Sequence, residues 1–193
     1  MPETSLYTVG YGARSIDEFL ALLEEWGIAF LLDVRSRPYS RYKPDFSKNA
    51  LERHLKDRGI RYVFMGDTLG GQPDDPDCYA ADGKVDYDVC RQKPFFQEGL
   101  ERLRRAWQQG YTVALMCSEG KPEQCHRSRL IGPALEEAGI PVIHIDENGR
   151  PLSQEAVLMR VIGSQPSLFG PSFHQLTSRK RHASDDGDQE ESL

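Results

Sequence analysis

Residues 111–146 read YTVALMCSEGKPEQCHRSRLIGPALEEAGIPVIHID. Tyr111–Cys117 is an apolar run of strand length, Pro122–Ala138 predicts a mostly helical segment bent near Pro133, and Pro141–Asp146 predicts another strand. Strand, helix and strand in that order are the repeating unit of a parallel sheet. The same alternation continues toward the N-terminus. Leu6–Val9 predicts a first strand, broken by Gly10-Tyr11-Gly12. Ser15 with Glu18 makes a capping box, and Phe19, Leu20, Leu22, Leu23 and Trp26 form an apolar stripe that stops at Gly27. Ile28–Val34 predicts a second strand, Ser47 caps a helix with Leu51 and Leu55 on one face, and Arg61–Met65 predicts a third strand. Residues 66–94, rich in Gly, Pro and Asp, are expected to form one long loop. Phe95–Gln109 carries a helical stripe through Phe96, Leu100, Leu103 and Trp107, and Gln154–Ile162 predicts a last helix.

The expected fold is a single α/β domain over residues 1–163, a Rossmann-like three-layer arrangement. It has a mainly parallel sheet of about five strands with helices on both faces. Residues 164–193 are poor in apolar side chains and are expected to form a disordered tail. Crossover connections of one hand place every strand-to-helix loop on the same sheet edge, where ligands of such sheets bind. Four loops therefore converge there: Gly10–Arg14, Asp33–Tyr42, the segment from Gly66 onward, and Cys117–Arg127.

Bulk properties narrow the class. The net charge of −6 on 193 residues argues against broad coating of nucleic acid, though not against a local basic pocket. No apolar run approaches the roughly 18–20 residues of a membrane helix, and Met1–Ser5 lacks the features of a signal peptide. A cytoplasmic protein is expected, in which Cys78, Cys90, Cys117 and Cys125 are free, catalytic or metal-bound rather than paired in disulfides.

The loop from Cys117 to Arg127 holds two cysteines, a histidine and an arginine. Cys117 ends a strand. With Pro122 as first helical residue, Cys125 falls near a helix N-terminus, where free N–H groups and the helix dipole favour a thiolate. Cys117 or Cys125 is a candidate nucleophile or redox thiol, His126 its base or orienter, and Glu119 a general acid or base. The arrangement resembles the cysteine-to-arginine loop of phosphatases and rhodaneses, but nine residues separate Cys117 from Arg127 and the family loop is shorter. The second loop packs Asp33, Arg35, Arg37, Ser40, Arg41 and Lys43 with Tyr39 and Tyr42. Arginine forks suit phosphate or carboxylate, and aromatic rings suit stacking on bases. Arg35, Arg37 and Arg127 are candidates for holding an anion, with Gly10, Tyr11, Gly12 and Arg14 letting backbone approach it. Gly10-Tyr11-Gly12 is not a full dinucleotide fingerprint, and no cofactor is assigned. Cys78, Cys90, Cys117, Cys125 and His126 are numerous enough for zinc or an iron–sulfur cluster, but their spacing fits no CxxC pair and assigns no metal site. His54 is expected at the surface and His144 in packing, and His174 and His182 belong to the tail.

Three segments together resemble the family called domain of unknown function 488. They are Thr8-Val-Gly-Tyr-Gly-Ala-Arg-Ser15, Leu32-Asp-Val-Arg-Ser-Arg-Pro38 with Phe46-Ser47, and Cys117-Ser-Glu with Cys125-His-Arg127. The resemblance spans residues 6–145, implies an α/β fold, and carries over the two cysteines Cys117 and Cys125. It supplies no reaction. In the tail, Gln165-Pro-Ser-Leu168-Phe169 resembles the peptide by which bacterial DNA polymerases and repair proteins dock on the sliding clamp. There Gln165 would make polar contacts while Leu168 and Phe169 fill an apolar pocket. The combined reading is an enzyme acting on a nucleotide or nucleic acid, linked to DNA repair or replication. The alternatives are a non-catalytic nucleotide- or nucleic-acid-binding adaptor and a metal or redox module.

Overall fold

The computed structural model describes residues 5–162 and 177–181. Six strands make the main sheet: β1 (Leu6–Gly10), β2 (Phe30–Asp33), β3 (Arg61–Phe64), β5 (Val113–Cys117), β6 (Val142–Ile145) and β7 (Pro151–Ser153). Their order is β3-β2-β5-β1-β6-β7, parallel except for β7, which pairs antiparallel with β6 at one edge. Every residue of the central strand β5 is buried, as expected of a strand covered on both faces.

Alternation along the strands divides the core in two. Leu6, Leu32, Val113 and Leu115 face one cluster, which includes Phe96, Leu100 and Leu103 of α5 (Pro94–Gln108). Val9, Leu31, Ala114 and Met116 face the other, against Phe19, Leu20 and Leu23 of α1 (Ile16–Glu25) and Leu51 and Leu55 of α2 (Lys48–Asp57). The fold is therefore three-layered α/β. The capping box at Ser15 and Glu18 is present. Ser47 precedes α2 without a side-chain cap bond, because its hydroxyl is turned onto Ser40, accepting from the Ser40 N–H at 3.1 Å.

Three expectations need correction. Residues 66–94 are not one loop. They hold α3 (Gly66–Leu69), a 3-10 turn (Pro76–Cys78), β4 (Lys84–Asp86) and α4 (Tyr87–Gln92). Asp86 caps α4 by accepting from the N–H groups of Asp88 and Val89. Burial of Cys78, Tyr87 and Cys90 anchors the segment. The stretch after β5 is mostly helical, as expected, but it is not one continuous α-helix. It is a 3-10 turn (Pro122–Gln124), a π turn (Arg127–Ile131) and then α6 (Gly132–Glu137). Pro133 has no N–H to continue a regular ladder across the junction. Finally, Thr177–Arg181 of the expected disordered tail forms β8, paired antiparallel with β4. No described helix is long and apolar enough to cross a membrane.

Candidate functional site

The C-terminal ends of β1, β2 and β5 lie side by side, and the loops that leave them enclose a cavity of about 540 Å³. Residues of four chain segments line it: Tyr11; Arg35, Ser36, Arg37 and Tyr39; Gly71, Gln72 and Tyr87; and Cys117 to Glu119 with Gln124, Cys125 and His126. Cys125 lies between a 3-10 turn (Pro122–Gln124) and a π turn (Arg127–Ile131).

His126 fixes the centre. Its Nε2 lies 3.0 Å from the Val34 carbonyl oxygen, so Nε2 carries a proton and donates it. Nδ1 then faces Cys117 Sγ at 3.6 Å and Cys125 Sγ at 3.7 Å. Gly71 packs close to the ring, where a Cβ would stand 2.7 Å from Cγ and 2.9 Å from Nδ1. Cys117 Sγ also stands 3.2 Å from Glu119 Oε2, which accepts from the Ser118 hydroxyl at 2.9 Å. The two thiols are inequivalent. Hydrogen bonding to Cys125 and burial hold the Cys117 thiol well above its ordinary value. Burial pushes Cys125 the same way, but the hydrogen bond from Cys117 and the charge and backbone N–H of Arg127 outweigh it and leave this thiol lowered. Burial alone would depress His126, yet Cys117, Glu119 and the Val34 carbonyl raise it.

The second loop supplies a fixed cation. Arg35 is 6% exposed, and its Nε and Nη2 donate to Asp33 Oδ1 and Oδ2 at 2.8 and 2.6 Å. Nη2 also donates to the Phe46 carbonyl at 2.8 Å. Nη1 has no hydrogen-bond partner among the described residues. The guanidinium lies over the Tyr11 ring, which is stacked on Phe46. Burial opposes the charge of Arg35, but Asp33 holds its pKa above the ordinary arginine value. Arg37 and Tyr39 stand at the rim, Tyr39 74% exposed.

Other candidates lie elsewhere. Arg127 is fully buried and spends its guanidinium on the Thr8 hydroxyl and on the carbonyls of Glu119, Gly120 and Ile145. It pins the loop instead of lining the cavity. Arg14 donates to the carbonyls of Gly10 and Asp146. Asp33 is buried beneath Arg35, and Gly10 and Gly12 lie under the 117–120 backbone. Ser40 and Arg41 do not line the cavity, and the clamp-like residues Gln165, Leu168 and Phe169 lie outside the described residues. Ser36, Gly71, Gln72, Tyr87, Ser118 and Gln124 join the site unforeseen. Asp86, an N-cap residue directly before Tyr87, is the signal that could have placed Tyr87 on an ordered helix.

His144 is buried in a separate network. Nδ1 accepts from the Thr8 hydroxyl at 2.7 Å, and Nε2 donates to Gln154 Oε1 at 2.6 Å. Burial and the nearby Arg127 push it from 6.5 down to about 3. A base depressed on folding stabilises the fold fully above its unfolded pKa, and that stability is lost as pH falls from 6.5 toward 3. Between about pH 7 and 5 the expected loss is about 2 kcal/mol in urea denaturation. His144→Asn, less stable overall, should lack this component, and an unchanged slope would contradict it. His54, by contrast, is half-exposed beside Asp45.

Residues 15–132, more than half of the chain, match the family model described as "Domain of unknown function DUF488". The chain is a DUF488 protein. None of the curated proteins matches it. In this DUF488 protein the matched span covers both cysteines, His126, Arg35 and Arg37, so the cavity falls almost wholly within the family's domain. Chemically, the centre can act as an activated thiol, or its two sulfurs and one imidazole nitrogen can hold a metal ion.

Proposed function

We propose that this DUF488 protein is an enzyme acting on a nucleotide or a nucleic-acid strand, with the Cys117–Cys125–His126 centre as its reacting group. The observation that carries this reading is the opening of the centre, a fixed arginine and exposed aromatic and cationic rim groups into one cavity. Arg37 would take the anionic group with the planar fork of its guanidinium, and Arg35, whose Nε and Nη2 are bonded to Asp33, would add a single donor through Nη1. Tyr39 offers a face on which a base can stack. Glu119, beside Cys117, would move the proton. The clamp-like peptide Gln165–Phe169 would tether this activity to sites of DNA synthesis or repair.

The test measures binding and turnover of nucleotides and short single strands by the full chain. Arg37→Ala and Tyr39→Ala, both at exposed positions, are each expected to weaken binding about tenfold, or roughly 1.4 kcal/mol. Arg41→Ala, away from the cavity, should bind like the wild type. Unaltered binding in the first two variants would refute the assignment of the rim. Full turnover in both Cys117→Ala and Cys125→Ala would remove the centre from the chemistry.

A further inference from the structure

We propose that Cys117, Cys125 and His126 form a zinc-type metal site whose fourth coordination position opens into the cavity. The ligand atoms all lie within 4.8 Å of one another, and among the described residues no other such group of three His, Cys, Asp or Glu donors occurs. The two nitrogen–sulfur separations match what tetrahedral zinc requires. Zn–S of about 2.3 Å and Zn–N of about 2.0–2.1 Å at a tetrahedral angle separate nitrogen and sulfur by about 3.5–3.6 Å. Nδ1 stands 3.6 Å from one sulfur and 3.7 Å from the other. A histidine serving one thiol as a base has no need to address two sulfurs equally.

The histidine tautomer agrees. Nε2–H donates to the Val34 carbonyl, which leaves the Nδ1 lone pair toward the sulfurs. An imidazole oriented by a backbone carbonyl through its far nitrogen is the usual support of a metal ligand. Two thiolates and an imidazole are soft and borderline donors, which select zinc over magnesium or calcium. Zn²⁺ would displace the thiol protons to solvent, and two thiolates with a neutral imidazole would leave the centre uncharged. Three protein ligands leave one position for water or substrate, as in catalytic rather than structural zinc sites. Glu119, 3.2 Å from Cys117 Sγ, would serve as the base toward such a water.

Metal binding is independent of the nucleotide reading. Only the role of the fourth position rests on that reading. The experiment uses the full chain, purified without air, stripped with a chelator and titrated with Zn²⁺ and then with Co²⁺. Expected are about one zinc per chain and, with cobalt, the intense visible bands of a tetrahedral ion plus a thiolate-to-cobalt charge-transfer band. Cys117→Ser, Cys125→Ser and His126→Gln, checked for fold by circular dichroism, should each lower zinc affinity by about 100-fold or more. Cys78→Ser should not change it. A folded wild-type chain that takes up no zinc and shows no charge-transfer band overturns the site, as does undiminished affinity in the folded ligand variants. Zinc uptake without nucleotide binding would leave the metal site standing and refute the nucleotide assignment. Nucleotide binding without zinc uptake would do the reverse.

Discussion

Asp33→Ala is expected to lower the unfolding free energy by about 3–5 kcal/mol in urea denaturation. Asp33 is wholly buried and accepts four hydrogen bonds: from the Arg35 backbone N–H at 3.1 Å, Arg35 Nε at 2.8 Å, Arg35 Nη2 at 2.6 Å and the Tyr62 hydroxyl at 2.8 Å. Removing it strands a guanidinium that is almost wholly withdrawn from water. An uncompensated buried charge is the costly outcome, whereas the intact pair adds little beyond its own desolvation. Tyr62→Phe is the internal comparison. It deletes one bond to the same carboxylate and leaves the ion pair, so its cost should be about 1 kcal/mol. Equal losses for the two variants would show that the ion pair is not what holds this loop. Asp33→Ala should also blunt anion binding, because Arg35 is aimed by the two carboxylate oxygens.

Much of this architecture is legible in the chain. The alternation of short apolar runs with capped amphipathic segments places five parallel strands, and topology alone then brings four distant loops to one edge. Residue type fixes less. Arg35, Arg37 and Arg127 look alike as candidate anion holders, yet one is buried and fixed at the cavity, one lies at its rim and one is consumed by backbone carbonyls. That difference follows from which acceptors the fold sets beside each guanidinium: the Asp33 carboxylate for Arg35, and the carbonyls of Glu119, Gly120 and Ile145 for Arg127. The 66–94 segment hides its order because its elements are three to six residues long, too short to show a period. The spacing of Cys117, Cys125 and His126 matches no familiar metal pattern, since one ligand ends a strand and the others follow a 3-10 turn.

Gly10→Ala should cost about 3 kcal/mol or more and disable the site from a position that touches no ligand. Gly10 ends β1 opposite Cys117, and the ladder continues past it through Tyr11 N–H to the Cys117 carbonyl and Gly12 N–H to the Ser118 carbonyl. The chain after Cys117 therefore folds back directly over Gly10. A Cβ there would overlap the backbone carbonyl of Glu119 and stand 3.1 Å from Arg127 Nη2. Neither neighbour can yield easily. The Glu119 carbonyl is held by Arg127, and Arg127 is fully buried and bonded to Thr8. Overpacking against adaptable side chains costs about 1–3 kcal/mol, and displacing a pinned backbone should reach or exceed the top of that range. Relief requires the 117–120 backbone to lift from β1, which carries Cys117 and Glu119 away from His126. Zinc affinity should fall together with stability. Gly27→Ala is the contrast: φ is +61° with nothing nearby, so the strain of about 1–2 kcal/mol is local and the site is untouched. A Gly10→Ala protein with the stability of Gly27→Ala and unaltered metal binding would mean that the loop is free to move and that its close seat on β1 does not position the two thiols.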